Sequence, residues 1–259
     1  MNIEFTKYQG AGNDFVIIDN RKEVFPRDNS VLIAKLCDRR FGIGADGLIL
    51  LENERDIDFR MVYFNADGKE STMCGNGGRC IVSFAQQLGL IANKTTFSAI
   101  DGLHHAEVQE DGRVALGMKD VQSIEQVSKN EYVLDTGSPH YVIVVDEMPD
   151  DILKQAHNIR YNNRFMKKGI NVNFIVIKEN QIHVRTYERG VENETLACGT
   201  GAVAAAIVAS NYQNKMIFEI KTRGGYLSVE ISNLKNHKLY TKIMLIGETK
   251  QVFSGSFSC

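Results

Sequence analysis

Residues Glu70–Cys80 read ESTMCGNGGRC, and residues Glu194–Ala204 read ETLACGTGAVA. Both carry the frame Glu-(Ser/Thr)-x-x-Cys-Gly-(Asn/Thr)-Gly. The offset between them is close to half of the 259-residue chain, whereas solenoid repeats have periods of roughly 20–50 residues. Flanking segments echo one another at a similar offset. GNDFVIID from Gly12 returns as GSPHYVIVVD from Gly137, and RMVYFNADG from Arg60 returns as HVRTYERGV from His183. Each half therefore offers a glycine turn entering a β-rich run, a second strand ending in a polar loop, and then the cysteine element. The pattern implies two homologous domains.

Local patterning agrees with that order. Short β-branched or aromatic runs bounded by Gly, Asp or Asn predict strands at Ile3–Tyr8, Phe15–Asp19, Leu48–Leu51, Asp58–Phe64, Tyr141–Val145, Asn173–Ile177 and Ile182–Tyr187. After Cys74, the stretch Arg79–Leu88 reads as a helix, and AVAAAIVAS from Ala202 is apolar on nearly every side, as a helix enclosed by a sheet would be. Further helices are predicted over Asn29–Arg39 and Asp150–Arg160. The polar stretch from Lys119 to Lys129 lacks a strong period and reads as the domain boundary. The predicted domains are residues 1–118 and 119–248, with a last strand at about 249–259 returning to the first.

Composition removes several classes of function. With 30 Lys+Arg against 32 Asp+Glu the formal charge is -2, so no global field recruits nucleic acid or an anionic membrane. The opening MNIEFTKYQG lacks a basic flank followed by an apolar run, and no stretch reaches about 18 apolar residues, so the expected location is cytoplasmic. Five cysteines, an odd and scattered set, disfavour a disulfide framework. The close pair Cys74 and Cys80 has no matching Cys/His pair, so no metal site is expected. Cys37, Cys80 and Cys259 read as small core hydrophobes.

Cys74 and Cys198 differ, because each recurs in the same Gly-rich frame at the head of a predicted helix. Backbone N–H groups there are unpaired and the macrodipole favours a thiolate. A helix end stabilises negative charge by roughly 0.3–1 kcal/mol, up to about 2 when partly buried, against about 1.36 kcal/mol per pKa unit. The dipole alone therefore makes a usable base and no more. A phosphate-binding module is the rival reading, yet neither loop is a P-loop or a dinucleotide fingerprint. Paired thiols have a distinct chemical use: one removes an α-proton as base and the other returns one to the opposite face as acid. Backbone N–H groups of Gly75, Asn76, Gly199 and Thr200, aimed at a substrate α-carboxylate, would stabilise the developing carbanion.

The ordered set KYQGAGNDFVIID, RRFGIGADG, FNADG, MCGNGGRC, GSPH, GINVNF, YERGVENETLACGTGA and VFSGSF resembles the diaminopimelate epimerase family over nearly the whole chain. That resemblance implies an α+β fold of two pseudo-symmetric domains, each a β-barrel-like sheet around a central helix, with the active site in the interdomain cleft. It implies interconversion of LL- and meso-2,6-diaminopimelate, for lysine and peptidoglycan precursors, without pyridoxal phosphate, metal or other cofactor. A homodimer is implied as well. By motif, Cys74 and Cys198 match the catalytic pair. Asn13, Asn65 and Asn171 match substrate-contacting amides, and Glu188 and Arg189 lie on the Glu-Arg-Gly loop, where the guanidinium suits a distal carboxylate. His140 matches a histidine beside one cysteine, and Glu188 the acid beside the other. Two positions depart from the commoner pattern: Ser138 stands where an Asn is usual, and Gly47 where a Gln is frequent. A racemase of histidine or proline type is the alternative within the same chemistry.

Overall fold

The computed structural model describes residues 2–235 and 239–258. The chain divides into two compact units, Met1–Leu116 with Gly247–Cys259, and Gly117–Ile246. The first runs β1 (Asn2–Gly10), β2 (Asn13–Asp19), α1 (Ser30–Cys37), β3 (Gly47–Glu52), β4 (Phe59–Asn65), β5 (Glu70–Ser71), α2 (Gly75–Gln87), β6 (Lys94–Ala99), β7 (Gly102–Val108) and β8 (Val114–Met118). The second runs β9 (Ile124–Ser128), β10 (Glu131–Asp135), β11 (Pro139–Val144), α3 (Leu153–Arg160), β12 (Asn171–Ile177), β13 (Ile182–Glu188), β14 (Asn193–Glu194), α4 (Gly199–Ala209), β15 (Ile217–Thr222), β16 (Gly225–Lys235) and β17 (Leu239–Gly247). The last strand, β18 (Lys250–Ser258), lies antiparallel along β1.

The two units repeat one strand order. In the first, β1 and β2 are antiparallel, β2 and β3 parallel with Phe15 opposite Gly47, β3 and β4 antiparallel, and β4 and β6 parallel. In the second, β10 and β11 are antiparallel, β11 and β12 parallel with His140 opposite Asn171, β12 and β13 antiparallel, and β13 and β15 parallel. A mixed sheet with few helices is an α+β fold.

Each sheet wraps a helix. α2 packs on β1, β2, β3, β4 and β7, and α4 on β10, β11, β12, β13, β15 and β16. That enclosure explains the absence of an amphipathic pattern in GTGAVAAAIVA, where every residue except Thr200 is buried. Small side chains let the strands close on the helix: a Cβ at Gly77 would meet Ile49 Cδ1 of β3 at 3.1 Å. The opposite sheet faces are covered by α1 and α3. Ile33 and Leu36 pack with Val16, Leu48 and Leu50, while Ile152 and Ala156 pack with Tyr141, Val172 and Phe174. With both faces covered, β3 is buried throughout, and its Leu48–Leu51 segment is a continuous apolar run.

The helix ends refine the sequence reading. Asn29 caps α1, its side chain accepting from Leu32 N–H at 3.0 Å. The segment predicted to begin a helix at Asp150 starts only at Leu153, whose N–H is taken by the Asp151 carboxylate at 2.8 Å. The polar stretch read as the domain boundary contains β9, four of whose five residues are exposed, so it shows no alternation of apolar and polar positions. Cys259 lies outside the described residues. Among those residues no helix is long and apolar enough to cross a membrane.

Candidate active site

Cys74 is the N-cap residue of α2, extended at φ -89° and ψ 127°, and its carbonyl accepts from Gly78 N–H at 2.7 Å. Gly75 and Asn76 form the first turn, where helix geometry leaves N–H groups without intrahelical acceptors. A chain of side chains fixes that turn. Asn76 Nδ2 donates to Asn13 Oδ1 at 2.5 Å, and Asn13 Nδ2 donates to Asp46 Oδ2 at 3.0 Å. From the other side, Arg79 Nη2 donates to Asn76 Oδ1 at 2.8 Å. Asp46 is in turn held by Arg39, which also grips Asp14. Burial pushes the Asp14 carboxyl up, but hydrogen bonds from Arg39 and Lys7 outweigh it and hold the group well below the usual carboxylate range.

Asn65 ends β4 opposite Gly47, exposed, with its backbone closing a turn through Lys69 and Gly68. The Gly47 departure has a steric counterpart. A Cβ there would lie 2.5 Å from the Phe64 carbonyl oxygen and 2.6 Å from Tyr63 Cε2, so the Tyr63 ring occupies the space a larger side chain needs.

In the second unit Cys198 caps α4 with the same extended backbone, φ -118° and ψ 114°, and is buried. Its Sγ lies 3.4 Å from Thr200 Oγ1, and Thr200 Oγ1 lies 2.9 Å from His140 Nε2. The imidazole is fully buried. Burial pushes its pKa down to about 3, so it is neutral at physiological pH. Its tautomer follows from the neighbours. Asn173 Nδ2 donates to the Tyr141 carbonyl at 3.1 Å, and Asn173 Oδ1 accepts from the Thr186 hydroxyl at 2.9 Å, which fixes the amide orientation. The same Nδ2 faces His140 Nδ1 at 3.0 Å, so Nδ1 accepts and the ring proton sits on Nε2. Nε2–H then donates to Thr200 Oγ1, and a further hydrogen bond joins that hydroxyl to the Cys198 sulfur. Gly201 is required beside this network, because a Cβ there would fall 2.6 Å from Asn173 Oδ1.

Asn171 ties the histidine strand to the Glu-Arg-Gly loop. Its Nδ2 donates to Ser138 Oγ at 2.9 Å, and its Oδ1 accepts from Arg189 N–H at 2.8 Å. Arg189 Nη1 donates to the Lys168 carbonyl at 3.0 Å, and Nη2 lies 3.4 Å from Ser138 Oγ. The short Ser138 hydroxyl thus serves both partners. Burial raises the pKa of Glu188, and the Thr195 hydroxyl, donating at 2.9 Å, only partly counters it. The remaining thiols differ: burial pushes Cys37 up to about 11 and Cys80 up to about 12. Among the described residues no His/Cys/Asp/Glu group is arranged to hold a metal ion.

The sequence model of the family described as diaminopimelate epimerase matches residues 5–124 and again residues 132–251. The chain is 51% identical over 251 residues to a diaminopimelate epimerase of Flavobacterium psychrophilum, covering 95% of this chain and 97% of that one. The chain belongs to the diaminopimelate epimerase family. A second member, from Aquifex aeolicus, is 39% identical and covers 99% of this chain, with 98% of its own length matched. Among solved structures, a phenazine biosynthesis protein of the PhzF family from Bacillus anthracis superposes with a TM-score of 0.75 at 15% identity, covering all of both chains. A probable proline racemase from Agrobacterium radiobacter superposes at 0.68 with 13% identity, over 99% of this chain and 93% of that one. At such identities the likeness is one of fold, and both confirm the two-domain architecture.

Within this family member, the first unit brings Asn13, Cys74, Gly75 and Asn76 together, and the second brings Ser138, His140, Asn171, Arg189, Cys198 and Thr200 together. Among the described residues the exposed Asn65 side chain is linked to neither group, and Glu188 is tied to Thr195. Sequence reading missed Asn173, Thr186, Arg79 and Asp46. A signal for Asn173 was present, since Asn171 and Asn173 alternate onto one face of a strand. Arg79 carried none, because an arginine in a helix is ordinarily solvated.

Proposed function

We propose that this chain interconverts LL-2,6-diaminopimelate and meso-2,6-diaminopimelate by cofactor-independent two-base chemistry with Cys74 and Cys198, in the supply of lysine and peptidoglycan precursors. The observation that carries the reading is that each unit of a family member places a cysteine as N-cap of its enclosed central helix. One thiolate takes the α-proton and becomes a thiol; the other thiol gives its proton to the opposite face of the carbanion and becomes a thiolate. The roles reverse for the opposite epimer. N–H groups of Gly75, Asn76, Gly199 and Thr200 hold the α-carboxylate and stabilise charge as it develops.

Arg189, oriented by Asn171 and Ser138, takes the distal carboxylate, with Asn13, Asn65 and Asn171 as amide partners and Glu188 shaping the loop. Such a set favours a substrate with a second, carboxylate-bearing end. Proline has none, and histidine offers only an imidazole. The enzyme works in the cytoplasm as a homodimer in this reading, which sedimentation of the purified protein checks. Incubation with LL-diaminopimelate and a panel of L-amino acids in D2O, scored by α-deuterium and stereoinversion, tests the substrate. Turnover of diaminopimelate with none of histidine or proline is expected; the reverse overturns the assignment.

A further inference from the structure

The second unit holds five arginines, and four of them are matched to carboxylates: Arg160 to Glu192, Arg164 to Glu125, and Arg185 and Arg223 to Glu194. Arg189 forms no ion pair among the described residues. Its guanidinium rests on the Lys168 carbonyl and the Ser138 hydroxyl, and the neighbouring Glu188 carboxyl accepts from Thr195 instead. Arg189 is thus the arginine of this unit left for an anion from outside the chain.

Glu192 governs where that arginine stands. It sits between β13 and β14 at φ 56°, in the left-handed region that few residues other than glycine adopt. Its N–H donates to the Glu188 carbonyl at 2.8 Å, closing the turn around Arg189. Its carboxylate gathers donors from the turn, from β13 and from the end of α3. Oε1 accepts from Gly190 N–H at 3.1 Å and from Arg160 Nε and Nη2 at 3.2 and 2.8 Å; Oε2 accepts from the hydroxyls of Tyr161 and Tyr187 at 3.1 and 3.2 Å. Burial pushes the carboxyl up, but the bonds from Gly190, Arg160 and Tyr161 outweigh it and hold the group below its ordinary value, an anion at neutral pH. Arg160 ends α3 with its side chain only 12% exposed, so its charge needs that partner. Gly169, at φ 75°, is flanked by both arginines: a Cβ there would fall 2.4 Å from Arg189 Cδ and 3.1 Å from Arg160 Cζ. The Arg189 stem therefore lies against the same glycine as the paired Arg160 guanidinium.

Closing a turn of this kind does not call for such a pair. In the first unit the matching connection, between β4 and β5, is closed by Asn65 N–H to the Lys69 carbonyl at 3.0 Å and Gly68 N–H to the Asn65 carbonyl at 2.9 Å. Its carboxylate, Asp67, is exposed and pairs with Lys69 of the same turn. The tie to a helix end accompanies the turn that carries an arginine.

We propose that Glu192, through its pair with Arg160, is a positioning residue that presets the Arg189 guanidinium for the distal carboxylate of the substrate. The proposal rests on the reading that Arg189 takes that carboxylate. A side chain ordered before binding loses less freedom on binding, so affinity rises without a new contact. The distal end is remote from the reacting carbon and is held alike in ground and transition states, so the gain falls on KM and leaves kcat alone.

The test joins a double-mutant cycle on initial rates with LL-diaminopimelate to hydrogen–deuterium exchange of the substrate-free full chain. Glu192→Gln and Arg160→Met should each raise KM about tenfold, the scale of one charge-assisted hydrogen bond, with kcat within about twofold of wild type. Arg160→Lys, which keeps a cation for Glu192, should stay nearer wild type. In an Arg189→Met background Glu192→Gln should raise KM no further, because the residue it acts through is gone; a merely structural role would persist there. Without substrate, peptides covering residues 187–193 should exchange faster in Glu192→Gln and Arg160→Met than in wild type, while those covering α4 are unmoved. A fall in kcat at unchanged KM, an equal KM penalty in the Arg189→Met background, or unchanged exchange in either folded variant overturns the proposal. Each half of the pair is probed from its own side, so one variant decides where the other fails to fold. A wild type that does not invert diaminopimelate refutes the substrate reading, and that result is separate from the exchange, which needs no substrate and still decides whether the pair presets the Arg189 turn.

Discussion

Mild acidification should destabilise this protein through one buried imidazole. His140 is fully buried with a pKa near 3 in the folded chain, against about 6.5 when unfolded. Below pH 6.5 the unfolded chain takes up a proton that the folded chain refuses, so stability is complete above that pH and falls as the pH drops. At pH 5 the interval from 6.5 is about 1.5 units, which corresponds to a loss of about 2 kcal/mol. Asp14, Asp19 and Glu194, whose folded pKa values are depressed, lose their contribution only as the pH falls through about 4 and lower, so they leave this window clear. Glu188 has the opposite sign and His183 a smaller exposed-group effect; both cancel on comparison with His140→Gln. Differential scanning calorimetry at pH 7, 6 and 5 on the two proteins reads the effect. The wild type should lose about 4–8 °C more than the variant between pH 7 and pH 5. Parallel losses would refute the claim that His140 is held neutral by burial.

Three substitutions probe the same architecture. Thr200→Val removes the acceptor of His140 Nε2–H and should cost about 1–3 kcal/mol for a buried donor left unmade, whereas Thr200→Ser retains the hydroxyl and most of the stability; urea melts of the pair distinguish them. Gly201→Ala, ordinarily favourable in a helix, should instead destabilise by about 1–3 kcal/mol because the methyl falls 2.6 Å from Asn173 Oδ1; an unchanged melting temperature would show that the amide can yield. Gly47→Gln meets both the Phe64 carbonyl oxygen and the Tyr63 ring and should lose similar stability; thermal melts read the loss, and an unchanged melting temperature would show that the strand can yield.

Much of this was legible in the chain because duplication supplied an internal comparison. The predicted strands from Ile3 to Ile177 and Ile182–Tyr187 coincide with β1–β4 and β11–β13, and both cysteines cap helices. Where burial is one-sided or complete, the apolar pattern reports it. β9 was invisible because Ile124–Ser128 is largely exposed, and α3 began late because the Asp151 side chain takes the first N–H. At the site, the cysteines and their glycines could be read directly from the repeated frame. Asn173 and Arg79 could not, since their roles depend on long-range contacts: an amide seated between Thr186 and His140, and a guanidinium folded against Asn76. No local propensity encodes either.

The most direct test of the central claim is early turnover of LL-diaminopimelate in D2O, with the deuterium content of product and of recovered substrate measured separately. Two thiols acting on opposite faces should give meso product carrying one α-deuteron while unconverted substrate stays unlabelled, and Cys74→Ala and Cys198→Ala should each abolish inversion. Product that retains the original α-proton, or inversion that survives loss of either cysteine, would contradict the account.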